Sequence, residues 1–189
     1  MKMKRIASVV LTGALVLSMG VAAFAATPSK TVADEVKAVA SVETTGFDRV
    51  EIKTEETEAT VAQSAAVVKE LAAAPAELST VVGATKEEQV EVTAVQTVTV
   101  AQTPLFNRTT ATVTLSSAVV EAAYKENEEV AVVVMIPVVD KDGNVSYEKM
   151  VVTGVVKDGK VQVKLTGAQL KKIGKKSVTM VATKKTAKV

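Results

Sequence analysis

Few side chains in this sequence have the types and spacing that chemistry requires. Asp140, Asp142 and Asn144 in "VVDKDGNVSY" alternate their oxygens as a calcium loop does at its start. A helix-loop-helix calcium site needs oxygens at positions 1, 3 and 5, glycine at 6 and a bidentate glutamate at 12. Counted from Asp140, position 6 is Val145 and position 12 is Val151, and neither fits. Alternating apolar residues flank the Asp-Gly pair, and both members tolerate positive φ, so the stretch reads as a hairpin turn. A weak surface cation site is the alternative. Asp158 and Gly159 in "VVKDGKVQV" read as a second turn of the same kind.

Ser146 and Lys149 in "SYEK" match the Ser-x-x-Lys pattern of serine acyl-transfer enzymes. That chemistry needs the serine to open a helix, so that the lysine lies one turn away. The segment reads as a strand, which sends the two side chains to opposite faces. The companion Ser-Asp-Asn and Lys-Thr-Gly motifs are absent. The sequence has no histidine and no cysteine. This excludes a Ser-His-Asp triad, histidine-ligated zinc, disulfides and lipoprotein acylation. Carboxylate pairs remain, Glu55 with Glu56 and Glu128 with Glu129, and a glycosidase uses two carboxylates across a cleft. These pairs sit at element ends, and beyond the leader only Phe47, Phe106, Tyr124 and Tyr147 could stack on a sugar. No catalytic residue, metal ligand or cofactor is expected, and the chain reads as a non-enzyme. An extracellular hydrolase using carboxylates is the alternative.

The suggestive feature is basic. After Asp158 there are nine lysines and no acidic residue, among them Lys171, Lys172, Lys175, Lys176, Lys184 and Lys185. Residues 27–100 carry six positive and thirteen negative charges, whereas residues 101–189 carry fourteen and eight. Clustered lysines attract polyanions with a steep salt dependence, so the six are candidate polyanion-binding residues. A solvated sheet face with a frayed tail is the competing reading, and attraction to the acidic first half is a third.

The address is written at the start. Lys2, Lys4 and Arg5 precede an apolar run over residues 6–21, and Ala23 and Ala25 fit a signal peptidase site. This is the layout of a secretory signal peptide over residues 1–25. The competing reading is an uncleaved anchor, because residues 6–24 approach the roughly 20 needed to cross a bilayer. Export makes anionic wall polymers or another surface protein the expected partners. It argues against nucleic acid, and against a membrane partner once the leader is removed.

Hydrophobic periodicity supplies the elements. Residues 27–45 read as loose or a weak edge strand, and "FDRVEIKT" as a strand. In residues 55–75, Val61, Ala65, Val68 and Leu71 or Ala72 recur at helical spacing, and Pro75 ends the helix. A shorter helical turn follows before Gly83. In "QVEVTAVQTVTV" the period becomes two, with Val90, Val92, Ala94, Val98 and Val100 on one face and Gln96 as the exception. "TATVTL", "KVQVKL" and "SVTMVAT" read as strands, and "SSAVVEAAYKENE" and "TGAQLKKIG" as short helices. "EVAVVVMIPVV" reads as the central buried strand. A bulge between Tyr147 and Met150 would explain the changing phase of "VSYEKMVVTGVV". The pattern is mainly β: an antiparallel β-sandwich over residues 85–189, preceded over 26–84 by a strand and an Ala-rich amphipathic helix.

The order of these elements carries a resemblance. A strand, a short helical turn ending at Asn127 and Glu128, a hydrophobic strand, "DGN", a strand, "KDGKVQVKL" and a final strand follow one another over about residues 85–185. This run resembles the C-terminal β-sandwich module of uncharacterised secreted and surface proteins of clostridia-like Gram-positive bacteria. The resemblance implies an extracellular address and a fold rather than a reaction. The expected function is a secreted structural or interaction module at the cell surface. A small binding subunit working through an exposed sheet edge is a further alternative.

Overall fold

The computed structural model describes residues 36–46 and 49–188. The leader, with its Ala23 and Ala25 motif, and the residues Phe47 and Asp48 lie outside the described residues. Among the described residues the elements run β1 Val39–Thr45, β2 Glu51–Lys53, α1 Glu58–Ala73, α2 Pro75–Val81, β3 Glu88–Gln102 and β4 Thr110–Ser116. They continue with α3 Ala118–Ala123, β5 Glu129–Val139, β6 Val145–Lys157, β7 Lys160–Thr166, α4 Gly167–Ile173 and β8 Ser177–Ala187.

The fold is mainly antiparallel β, as its alternating segments predict. Its ladders join the strands into one sheet in the order β1-β4-β7-β6-β5-β8-β3-β2. The sheet curls until its ends nearly meet. Just ahead of β1, Ala38 N donates to Val95 O at 3.0 Å and Val95 N donates to Val36 O at 2.7 Å. This parallel bridge ties the chain before β1 to β3. The strands expected in two stacked layers thus belong to one nearly closed sheet. The link is the short β6–β7 ladder, from Gly154↔Val163 to Lys157↔Lys160, which carries hydrogen bonding from one wall to the other.

Two apolar clusters follow from the curl. The interior cluster takes alternate residues of every long strand: Val98 of β3, Val113 of β4, Val132 and Val134 of β5, Val152 of β6, Val163 of β7 and Met180 of β8. Leu170 and Ile173 of α4 and Val120 of α3 also enter it. The second cluster lies outside the sheet, where Val67 and Leu71 of α1 and Leu78 of α2 cover Val95, Val133, Met135 and Val181. Strand β5 is covered on both faces, so its run of apolar residues does not alternate. It is the buried strand its composition predicts.

Three local expectations need correction. The even positions of β3 do not share one face, because the register shifts between Val92 and Ala94. Val90 and Val92 therefore pack under the helices, while Ala94, Val98 and Val100 point inward. Valine suits both environments, so periodicity alone could not show the extra residue. Conversely, β6 needs no bulge, since its register with β5 runs unbroken from Glu129↔Val155 to Val139↔Val145. Tyr147 packs against the outer cluster and Met150 against the inner one. In α1 the buried stripe is Thr60, Val67 and Leu71, while Val61 is 48% exposed. Ser64 takes part in that stripe through a 2.6 Å hydrogen bond to Thr97, which in turn bonds Thr179 at 2.8 Å. Ser64, with a hydroxyl partner on β3, and Thr60, whose hydroxyl donates to Thr57 O at 3.0 Å, stand where the spacing predicts apolar residues.

Candidate functional site

The lysines are positioned by α4 and the turn after it. Thr166 caps the helix: its Oγ1 accepts from Gln169 N at 3.3 Å, and Thr166 N donates to Gln169 Oε1 at 2.8 Å. Leu170 and Ile173, three apart on one face, are buried in the barrel interior. The remaining face, with Lys171 and Lys172, is left in water. Gly174 at φ +68° stops the helix, and Lys175 and Lys176 lead into β8. Val100 N donates to Lys176 O at 2.9 Å, which pins this turn to the C-terminal end of β3.

These four lysines differ in how their charge is used. Lys172 Nζ lies 2.7 Å from Glu148 Oε1, and Lys176 Nζ donates to Pro137 O at 3.2 Å. Among the described residues, Lys171 and Lys175 have neither a hydrogen bond nor a carboxylate partner, and both are exposed. Lys184 and Lys185 lie elsewhere. At about 3.4 Å per residue, Lys184 stands on the order of 27 Å along β8 from Lys176. Its Nζ donates to Ala123 O and sits 5.0 Å from the centre of the Tyr124 ring. Lys185 projects from the opposite face of β8 and donates to Gly83 O at 2.9 Å. The structure brings Lys171, Lys172, Lys175 and Lys176 together and leaves Lys184 and Lys185 at the far end.

A fifth exposed cation, from a distant part of the sequence, stands on the turn that abuts the start of α4. The turn between β3 and β4 holds exposed Arg108, two residues ahead of Thr110, whose partner across the β4–β7 ladder is the capping Thr166. A lone arginine some sixty residues from the lysines gives no sequence signal. The same turn abuts α4 closely, since a Cβ on Gly167 would stand 2.7 Å from Asn107 Cα and 2.8 Å from Phe106 O.

The other candidate groups are held structurally. Asp140 Oδ1 accepts from Asp142 N at 2.8 Å and Asn144 N at 2.9 Å, and Oδ2 accepts from Asn144 Nδ2 at 3.0 Å. Both carboxylate oxygens thus serve the hairpin turn the Asp-Gly pair predicts. These bonds, that from the Asn144 side chain first, hold the Asp140 carboxyl below its ordinary range. Asp158 at φ +51° and Gly159 at φ +68° form the second turn, between paired Lys157 and Lys160. Ser146 Oγ donates to Val138 O, while Lys149 Nζ reaches Glu77 and Glu70, so the Ser-x-x-Lys pair is divided. Of the carboxylate pairs, Glu56 binds Lys37 at 2.8 Å and Glu128 accepts from Lys125 N at 2.8 Å. Lys37 and Glu56 line a shallow recess of about 50 Å³ with Ser64, Gln96 and Thr97, too small for a sugar ring.

No protein-family model, curated protein or solved structure matches the chain.

Proposed function

We propose that this protein is an exported, non-enzymatic interaction module whose α4 end holds an anionic polymer of the cell surface. The leader pattern and the resemblance to modules of secreted Gram-positive proteins support the address. One observation carries the binding reading: four lysines gather on α4 and its following turn, and Lys171 and Lys175 have no partner of their own. Exposed cations without partners keep their hydration and field available to an incoming polyanion. Lys184 and Lys185 belong to the structure of the far end and are not part of the site.

The test is retention on purified bacterial walls at rising salt. Binding that weakens steeply with salt, and is lost when Lys171, Lys172, Lys175 and Lys176 are all replaced by Gln, is the expected result. Replacing Lys184 and Lys185 by Gln should leave retention in place. Retention indifferent both to salt and to the fourfold replacement would overturn the reading.

A further inference from the structure

The exposed apolar side chains are not spread evenly. Leu105 and Phe106 are 78% and 65% exposed, at the tip of the β3–β4 turn. Two large exposed hydrophobes side by side form an apolar patch of the kind that marks an interaction surface. Their backbone rests on the start of α4, at Gly167. Lys171 lies one helical turn beyond Gly167 on the same face, because residues four apart in a helix are neighbours. Exposed Arg108 follows Phe106 by two residues in the same turn, and exposed Lys175 follows the helix. An apolar tip with exposed cations on the same turn and on the helix it abuts matches a layered surface, negative outside and hydrocarbon beneath.

We infer that this end of the barrel docks on an anionic lipid bilayer, with Leu105 and Phe106 entering the headgroup layer while Arg108, Lys171 and Lys175 meet the phosphates. This rests on the proposed basic site and names a lipid surface as what it engages, in place of the sequence expectation of no membrane partner. The contact is peripheral: no helix among the described residues is long and apolar enough to cross a membrane. The β5–β6 turn also exposes Val139 and Val145, but Asp140 and Asp142 lie between them and would face the phosphates. That turn stands beside the site, through Lys172 to Glu148 and Lys176 to Pro137 O, and adds no anchor of its own.

The test uses the exported protein recovered from culture medium and vesicles of phosphatidylglycerol mixed with phosphatidylcholine. Co-sedimentation with these vesicles, weakened by salt and absent with pure phosphatidylcholine, is expected. Leu105→Ser with Phe106→Ser should lower vesicle binding at least about tenfold, the loss of two apolar anchors, yet leave retention on purified walls unchanged. Lys171→Gln with Lys175→Gln should lower both. The sequence has no tryptophan, so Leu105→Trp supplies a single indole reporter. Its emission should shift to the blue on anionic vesicles and be quenched by lipids brominated in the acyl chain. Unshifted emission, or full vesicle binding by the Leu105 and Phe106 double variant, would overturn the lipid assignment while leaving the polyanion site standing. If the lysine variant kept its wall retention, the polyanion site itself would fall.

Discussion

Lys149 Nζ lies 2.5 Å from Glu77 Oε1 and 3.5 Å from Glu70 Oε1, so one lysine on the outer face of β6 ties both α1 and α2 to the sheet. The lysine side chain keeps 11% of its surface in water, whereas Glu70 and Glu77 keep 35% and 55%. The glutamates can rehydrate when the cation is removed, which limits the cost. Lys149→Met, which preserves the packed stem, should destabilise by no more than about 1 kcal/mol. Lys149→Glu, which adds a third carboxylate at a mostly buried position, should cost more than about 2 kcal/mol. Urea unfolding of the two variants checks this, and equal losses would show that the charge contributes nothing.

Gly154 marks the corner where β6 parts from β7. A Cβ there would stand 2.7 Å from Val161 Cγ1, 3.3 Å from Gln162 O and 3.4 Å from Val132 Cγ2. Val161 is fully buried and cannot swing aside. Gly154→Ala should cost about 1–3 kcal/mol as overpacking. Val161→Ala in the same molecule removes the blocking methyl, so the pair should be less damaging than the sum by at least about 0.5 kcal/mol. A double-mutant cycle of denaturant unfolding measures that coupling, and strict additivity would exclude the clash.

Tyr124 titrates late. Burial first, against the 2.8 Å hydrogen bond with Thr93 and helped by the charges of Glu128 and Glu91, pushes its phenol up to about 12. The protonated phenol is the form the fold favours. Its contribution to stability is therefore complete below the ordinary tyrosine value near 10 and is lost as pH rises from there to about 12. Phenolate absorbance should show this late step, and Tyr124→Phe should remove it and flatten the alkaline loss of stability. A step near 10 for Tyr124 would contradict the burial argument.

Asp140 acts at the opposite end of the pH scale. Its carboxyl is held below its ordinary value of about 3.9, so its share of turn stability is complete above that value and lost as pH falls through the lowered one. Amide exchange at Asp142 and Asn144 should accelerate, relative to the intrinsic rate, on acidification through that range. Asp140→Ala should make both amides exchange fast at every pH. Protection surviving in the Ala variant would place the hold on the turn elsewhere.

How far these features were legible in the sequence depended on whether one local signal set them. The two Asp-Gly turns, the stop at Pro75 and the twofold burial of "EVAVVVMIPVV" were readable because local conformation or composition dictates each. The β3 bulge was not, because a valine-rich strand covered on both faces looks alike in either phase. Ser64 could not be placed on the buried stripe of α1 because its partner, Thr97, is distant in sequence. Half of the candidate site was readable in the same way. The lysine run was visible, but its division at β8 depended on strand length, and Arg108 joined through the pairing of Thr110 with Thr166.

The position of β8 constrains how the molecule can be made. It is the final strand in the sequence, yet it lies in the middle of the sheet, paired to β5 on one side and to β3 along most of its length on the other. A nascent chain lacking residues 177–187 has both flanking strands but nothing to join them, and the interior cluster lacks Val178, Met180 and Ala182. Cooperative folding of the sheet must therefore wait until those residues have emerged, so every earlier strand stays pliable until this one slots between its two neighbours.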